Sequence, residues 1–222
     1  MATVVFDLDG TLADTSADLI AAANACFRAR GLGDLLSPQS DALTAFHGGR
    51  AMLKLGYERA GHPERAALIE ADYRPLLDHY GAHICEETRL YEGAAEAVAA
   101  LRAAGYATAI CTNKPEGLAR ELVAALGIAP LFDALIGADT LPVRKPDPAP
   151  YAAAGAGAGG VLARSILVGD TGTDRATAAA AGVPCVLVTF GPEGQGIARL
   201  APEALLDHYV DLPGLTARLL PL

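Results

Sequence analysis

Short apolar runs rich in β-branched residues alternate with segments whose apolar side chains recur at helical spacing, and this alternation continues from residue 91 towards the C terminus. Runs that are apolar throughout indicate strands buried on both faces. Strand–helix alternation with short connections is typical of an α/β fold, a doubly wound parallel sheet with right-handed crossovers. The predicted strands are 3–6, 106–111, 134–136, 165–168, 184–188 and 208–210, and the predicted helices are 93–104, 115–126, 173–181 and 215–220.

A purely helical pattern interrupts this alternation after strand 3–6. A parallel α/β unit needs its crossover helix within a few residues of the strand, and a long structureless loop would be unusual in a compact domain. Helical periodicity is instead found over 18–30, 41–60 and 63–80. The pattern therefore predicts an inserted α-helical domain over 15–85, with an α/β core formed by 1–14 and 86–222.

Polar residues follow three of the predicted strands at the point where each strand ends. Because the carboxyl ends of parallel strands lie along one edge of the sheet, where ligands bind, we expect these side chains to converge. The residues are Asp7, Asp9, Thr112, Asn113, Asp170 and Asp174. Several carboxylates in one pocket form a hard, oxygen-rich site that suits Mg²⁺ and, through it, phosphate oxygens.

The first of these strand ends carries two acids, Asp7 and Asp9, followed by Gly10. Side chains two apart in a strand point the same way, so the two carboxylates leave it together and need a cation or a proton between them. Taken alone, the pair is equally compatible with a solvated acidic turn. Lys145, held in an extended loop by the prolines around it, could offset such charge, or could be a solvated lysine before a helix.

Composition narrows the possible partners. The chain has 222 residues, of which 52% are hydrophobic and 19% charged, so a sizeable core is expected and global disorder is excluded. The net charge of −9 disfavours nucleic acid or an anionic membrane as partner.

The four cysteines show no Cys-x-x-Cys pairing, which is typical of reduced, mostly buried thiols. We therefore expect a cytoplasmic protein, either a monomer or a homodimer, without a transmembrane segment.

The ordered motifs resemble those of the haloacid-dehalogenase-like superfamily of phosphotransferases. They are Asp7-Leu-Asp-Gly-Thr11, Thr112-Asn113, Lys145-Pro-Asp-Pro148 and Gly169-Asp-Thr-Gly-Thr-Asp174. The resemblance implies a Rossmann-like core, with an α-helical cap where the insert lies. Within the superfamily, the segments 9–15, 47–50, 112–115 and 145–151 look like the phosphoglycolate phosphatase branch. The sequence departs from the family pattern at Arg175 and Thr177, where apolar or small residues are usual.

This resemblance implies a Mg²⁺-dependent phosphomonoester hydrolase. Asp7 would be the nucleophile that forms an aspartyl-phosphate, and Asp9 would protonate the leaving oxygen and later accept a proton from water. Mg²⁺ would be held by Asp7, the backbone carbonyl of Asp9, Asp170 and Asp174. The phosphoryl oxygens would be held by Thr112, Asn113 and Lys145.

The expected substrate is a small phosphorylated metabolite, most specifically 2-phosphoglycolate. In the predicted cap, Arg50 follows two glycines, and its guanidinium could pair with the substrate carboxylate; alternatively, it is a solvated side chain in the first turn of a helix. A sugar-phosphate phosphatase or a phosphomutase of the β-phosphoglucomutase type would use the same four motifs. A non-catalytic phosphate-binding protein is the third class.

Overall fold

The protein is described by a computed structural model that covers residues 1–222. The chain divides into two compact units, one formed by Met1–Asp14 and Leu90–Leu222 and the other by Thr15–Arg89. The strands are β1 (Thr3–Phe6), β2 (Ala13–Asp14), β3 (Arg89–Leu90), β4 (Ala107–Cys111), β5 (Ala134–Ile136), β6 (Ser165–Gly169), β7 (Cys185–Val188) and β8 (Ala204–Leu206). The α-helices are α1 (Ser16–Ala29), α2 (Pro38–Phe46), α3 (Gly49–Arg59), α4 (Arg65–Ala82), α5 (Ala94–Ala103), α6 (Glu116–Ala125), α7 (Pro148–Gly157), α8 (Gly172–Ala181) and α9 (Leu212–Leu219).

The first unit is built on a six-stranded sheet in the order β5-β4-β1-β6-β7-β8, and every neighbouring pair is parallel. Strand β1 lies in the middle, where Phe6 is in register with Ile110 of β4 on one side and with Val168 of β6 on the other. Every residue of β1, β4, β6 and β7 is buried. The predicted doubly wound parallel sheet is confirmed, and chain order reverses at β1, between β4 and β6.

The predicted strand 208–210 is wrong. Residues Tyr209–Asp211 form a 3₁₀-helix that leads into α9, and Val210 is 81% exposed. The last strand is instead β8, in register with β7 from Val186 opposite Ala204 onwards. Both candidate segments are three residues long, and pairing with β7 decides which of them is a strand.

The second unit contains α1 to α4. The helical pattern predicted over 41–60 is interrupted at Gly48, whose φ of +94° no helix can contain, and this separates α2 from α3. The core of this second unit includes Phe27 and Tyr57, whose rings meet edge to face with centroids 5.2 Å apart. The buried Asp72 carboxylate accepts hydrogen bonds from Arg30 and from the Tyr57 hydroxyl, which satisfies the charge inside the unit.

The two polar residues that depart from the family pattern are both accommodated in α8. The Thr177 hydroxyl is buried and donates to the carbonyl oxygen of Thr173 one turn earlier, at 2.7 Å. Arg175 pairs with Glu203, with nitrogen and oxygen 3.5 Å apart. Neither residue introduces an unpaired polar group into the core.

All four cysteines are free thiols, and Cys26, Cys111 and Cys185 are buried, as predicted. None of the helices combines the length and the apolar character that crossing a membrane requires.

Candidate active site

Three aspartates meet at the carboxyl edge of the central strands. Asp7 directly follows β1, Asp170 directly follows β6, and Asp174 lies in the first turn of α8. One carboxylate oxygen from each lies within 4.8 Å of the others. The structure thus brings Asp7 together with two acids that lie more than 160 positions later in the sequence, because β1 and β6 are adjacent strands.

The turn between β6 and α8 fixes the orientation of Asp174. The backbone N–H and the hydroxyl of Thr171 both donate to Asp174 Oδ2, at 3.1 and 2.7 Å, in a capping box. Gly169 is needed for this arrangement, since a Cβ atom there would lie 2.4 Å from the Asp174 Cβ. The remaining oxygen of Asp174, Oδ1, therefore faces the cluster.

Lys145 supplies the positive charge of the cluster. Its side chain is 1% exposed, and its Nζ lies 2.7 Å from Asp174 Oδ1 and 3.1 Å from Asp7 Oδ2. Burial works to lower the pKa of Lys145, but the charges of Asp174 and Asp7 outweigh it and hold that pKa above its ordinary value. The ammonium is thus fixed between two carboxylates.

The Lys145 loop is held in turn by Asn113, whose side-chain amide donates to the Lys145 carbonyl oxygen at 3.0 Å. Thr112, buried at the end of β4, accepts the backbone N–H of Lys114 on its hydroxyl oxygen at 3.2 Å. Both residues lie at the same sheet edge as the acids. Their predicted contact with phosphoryl oxygens stays a prediction.

The negative charge of the cluster exceeds what Lys145 can neutralise. Burial, only partly opposed by Lys145, raises the pKa of Asp7 from its ordinary 3.8 to about 6, and the nearby Asp174 and Asp9 add to the rise. Burial and the charges of Asp174 and Asp7 raise the pKa of Asp170 well above its ordinary value. A proton or a bound cation would reduce this excess of negative charge.

One atom of the cluster indicates where a cation fits. Asp170 Oδ1 accepts the Thr11 hydroxyl at 2.9 Å, whereas Asp170 Oδ2 is buried and has no hydrogen-bond partner. A buried, unsatisfied carboxylate oxygen is costly in a folded protein unless a cation or a proton completes it. Converging carboxylate oxygens of this kind fit a hard divalent metal ion.

Asp9 is not part of this cluster. Its Oδ1 accepts from Lys114 Nζ at 2.8 Å, and the two side chains are 17% and 4% exposed. Lys114 lies within the segment 112–115 that resembles the phosphoglycolate phosphatase branch, but it is not among the predicted site residues. Its position three residues after the end of β4, next to the predicted site residues Thr112 and Asn113, could have indicated that it belongs to the site.

Arg50 lies in the first turn of α3, in the second unit. Its Nε and Nη2 donate to the two carboxylate oxygens of Glu70 at 3.0 and 2.9 Å, and its guanidinium carbon lies 3.7 Å from the centre of the Tyr73 ring. The guanidinium is thus paired and stacked within its own unit. The predicted contact of Arg50 with substrate stays a prediction.

The family model of the haloacid dehalogenase-like hydrolases matches residues 1–182. The phosphoglycolate phosphatase of Caulobacter vibrioides is 38% identical over 213 residues, covering 96% of this chain and 89% of its own. The phosphoglycolate phosphatase of Mesorhizobium japonicum is 40% identical over 212 residues, covering 93% and 90%.

Among solved structures, the crystal structure of a predicted phosphoglycolate phosphatase from Haemophilus somnus superposes with a TM-score of 0.86. It is 28% identical in sequence, and the match covers 97% of this chain and 98% of that one. Since the family model spans most of the chain and the relatives align along nearly their whole length, this protein belongs to the haloacid dehalogenase-like hydrolases and is a phosphatase resembling phosphoglycolate phosphatase.

Proposed function

We propose that the protein is a Mg²⁺-dependent phosphomonoesterase that hydrolyses 2-phosphoglycolate to glycolate and phosphate. The observation that carries the proposal is the unpartnered Asp170 Oδ2 beside the carboxylates of Asp7 and Asp174. This cluster has the charge and the oxygen ligands for a divalent cation, and the nucleophile expected from the resemblance is part of it. The substrate is proposed from the relatives, which are phosphoglycolate phosphatases at 38% and 40% identity.

Asp7, Asp170 and Asp174 would hold Mg²⁺, together with the backbone carbonyl oxygen of Asp9. The ion would supply positive charge that offsets both the carboxylates and the phosphoryl group of the substrate. That charge would lower the raised pKa of Asp7 and so favour the ionised carboxylate, which is the form that attacks.

The protein residues divide the reaction into two steps. The Asp7 carboxylate attacks phosphorus in line, which breaks the ester bond and forms an aspartyl-phosphate. Asp9 donates a proton to the leaving oxygen, so that glycolate departs with a neutral hydroxyl group. Asp9 then accepts a proton from water as the water attacks phosphorus, and Asp7 is regenerated with release of phosphate.

Residues around Asp7 hold the reacting groups. The Leu8 N–H donates to Asp7 Oδ1 at 2.7 Å, while Lys145 contacts Oδ2, so the carboxylate has one fixed orientation. Lys145, Thr112 and Asn113 would contact the phosphoryl oxygens. Such prepositioned donors act on the charge that develops during transfer.

The test is phosphate release from a panel of small phosphomonoesters, with Mg²⁺ and with EDTA. We expect turnover of 2-phosphoglycolate that requires Mg²⁺ and disappears in Asp7→Asn. Turnover of sugar phosphates at comparable rates with none of 2-phosphoglycolate would reject the substrate. Transfer of phosphate to a sugar hydroxyl faster than to water, seen by phosphorus NMR, would identify a phosphomutase. Unchanged turnover in Asp7→Asn would reject the mechanism.

A further inference from the structure

The side chain of Tyr209 is a buried group of the first unit that the steps described above do not use. Tyr209 begins a 3₁₀-helix near the C terminus, and it is 1% exposed. Its hydroxyl donates to the backbone carbonyl oxygen of Thr11 at 2.7 Å, across 198 positions of sequence. A residue from the end of the chain therefore holds the turn that follows β1 and begins with Asp7.

Thr11 connects this hydrogen bond to the cluster of acids. Its side chain is fully buried, and its hydroxyl donates to Asp170 Oδ1 at 2.9 Å. The other oxygen of this carboxylate, Asp170 Oδ2, is the buried atom without a hydrogen-bond partner. By occupying Oδ1, the Thr11 hydroxyl fixes the plane of the carboxylate and leaves Oδ2 available to a cation.

The turn that contains Thr11 is closed by its own backbone. The N–H groups of Leu12 and Ala13 both donate to the Leu8 carbonyl oxygen, at 2.9 and 3.2 Å. Because the turn is closed in this way, a shift of its backbone also shifts the Thr11 hydroxyl. The hydrogen bond from Tyr209 opposes such a shift from outside the turn.

Aromatic packing holds the Tyr209 ring in place. The Phe190 ring lies between two tyrosines, with its centroid 5.2 Å from that of Tyr209 and 4.8 Å from that of Tyr91. The Tyr91 N–H donates to the Leu12 carbonyl oxygen at 3.0 Å, which ties this packing to the same turn. Burial raises the pKa of Tyr209 well above its ordinary value, so the hydroxyl keeps its proton and remains a donor.

We propose that Tyr209 is a positioning residue for the metal site, whose hydroxyl holds Asp170, through Thr11, in the orientation that binds Mg²⁺. The inference rests on the proposed function, in which Asp170 is a metal ligand. Groups that hold a metal ligand in place contribute to metal affinity without touching the ion. Without the Tyr209 hydroxyl, the Thr11 backbone is less restrained, and the Thr11 hydroxyl holds Asp170 less well.

The experiment compares wild type, Tyr209→Phe and the control Tyr106→Phe. Each variant deletes one buried hydroxyl that donates to a backbone carbonyl oxygen, since Tyr106 donates to Leu220 at 2.8 Å. Isothermal titration calorimetry of each purified protein with MgCl₂, without substrate, measures the Kd. We expect Tyr209→Phe to raise the Kd by roughly 3- to 10-fold, the effect of one hydrogen bond. Tyr106→Phe should keep the wild-type Kd.

The route through Thr11 is tested with Thr11→Val, which deletes the hydroxyl that contacts Asp170. This variant should raise the Kd for Mg²⁺ by roughly 10- to 100-fold. If Tyr209 acts through that hydroxyl, adding Tyr209→Phe to Thr11→Val should change the Kd little further. Fully additive effects would show that Tyr209 acts by another route and would overturn the inference.

An unchanged Kd in Tyr209→Phe, or equal changes in the two tyrosine variants, would also overturn the inference, because the Tyr209 hydroxyl would then contribute to folding alone. In either case, Mg²⁺-dependent turnover by wild type would leave the proposed function standing. If wild type neither binds Mg²⁺ nor releases phosphate from any phosphomonoester, the proposed function has failed and this inference fails with it.

A second measurement serves if Thr11→Val does not fold. The Mg²⁺ concentration that gives half-maximal turnover is measured for wild type and both tyrosine variants, with a phosphomonoester that wild type hydrolyses. Tyr209→Phe should raise this concentration by roughly 3- to 10-fold, and its deficit in rate should narrow as Mg²⁺ approaches saturation. A lower rate at every Mg²⁺ concentration, with an unchanged half-maximal point, would contradict the inference.

Discussion

The three clustered aspartates are the same residue type, but their partners make them unequal. Asp174 is bound on both oxygens, by Thr171 and by Lys145. Asp7 is bound by a backbone N–H and by the same lysine. Asp170 keeps one buried oxygen without a partner, so it gains most from a cation. The hydrogen-bond partners of each carboxylate, not its residue type, thus decide how much it gains from a bound cation.

The raised pKa of Asp7 predicts a pH-dependent cost to the metal-free protein. The folded protein, with a pKa of about 6 against 3.8 for the unfolded chain, binds more protons between these values, so stability falls as pH rises through them. This difference in pKa corresponds to roughly 3 kcal/mol. In EDTA, the free energy of unfolding of Asp7→Asn should exceed that of wild type by this amount above pH 7 and by almost nothing at pH 4.

Urea unfolding of both proteins across this pH range measures the difference. Glu121→Gln, which changes an exposed carboxylate, serves as control and should parallel wild type. Mg²⁺ should reduce the advantage of Asp7→Asn, because the ion stabilises only a site that can bind it. A stability difference that does not vary with pH would contradict the charge argument.

Lys145→Met should destabilise the protein strongly in EDTA, because it leaves Asp7 and Asp174 without their shared cation. Removing one partner of a buried ion pair costs roughly 3–5 kcal/mol. The double variant Lys145→Met/Asp174→Asn should lose less unfolding free energy than the two single variants lose in sum. Urea unfolding of wild type, the two single variants and the double variant measures this. Additive losses would show that the two side chains are not coupled.

At the level of elements, the position of Asp174 depends on one glycine, Gly169, in the turn from β6 into α8. A Cβ atom on Gly169 would lie 2.4 Å from Asp174 Cβ, so Gly169→Ala must displace Asp174 or the strand end. Overpacking of this kind costs about 1–3 kcal/mol. We also expect the increase in Tm on adding Mg²⁺ to shrink, since a ligand is moved. Gly172→Ala is the matched control, because the atom nearest to a Cβ on Gly172 lies 3.9 Å away. If both variants changed the Mg²⁺-induced increase in Tm equally, the prediction would be contradicted.

Two helical glycines should respond to the same substitution with opposite signs. In α3, a Cβ on Gly56 would lie 2.1 Å from Phe27 Cζ, whereas in α7 nothing lies within 4 Å of a Cβ on Gly155. Gly56→Ala should therefore lower the free energy of unfolding by about 1–3 kcal/mol. Gly155→Ala should raise it by about 0.5–1 kcal/mol, since alanine favours helix. Thermal unfolding measures both, and a stabilising Gly56→Ala would refute the packing described for α1 and α3.

Elements were predicted well where their signals are local and long. The helices α5, α6 and α8 have a continuous pattern with a glycine or a proline at an end, and strand β1 is an unbroken apolar, β-branched run. The structure places all four within two residues of the prediction. The edge strand β8 was missed because its three residues form a strand only through pairing with β7.

On the scale of the whole molecule, all three proposed metal-binding side chains belong to one compact unit. The 75 residues of the other unit, 15–89, are inserted between Asp7 and Asp170 in the chain. Amide exchange in Mg²⁺ and in EDTA should therefore differ most at the ends of β1 and β6 and at the start of α8. Helices α2 to α4 should change little, because local opening there does not involve the metal ligands. Asp170→Asn should abolish the difference, and equal protection of α2 to α4 by Mg²⁺ would contradict the prediction.

The sequence by itself determined which acids reach the site, because parallel strands end at a common edge and Asp7 and Asp170 directly follow two of them. It also determined the class of enzyme, through four ordered motifs that the family match bears out. The tertiary structure decided how the charges pair. Lys145 lies between Asp7 and Asp174, Lys114 lies on Asp9, and one oxygen of Asp170 has no partner. These contacts join residues that are far apart in the chain. Their side chains become neighbours only when the sheet is packed, so a local sequence pattern cannot specify the distances between them.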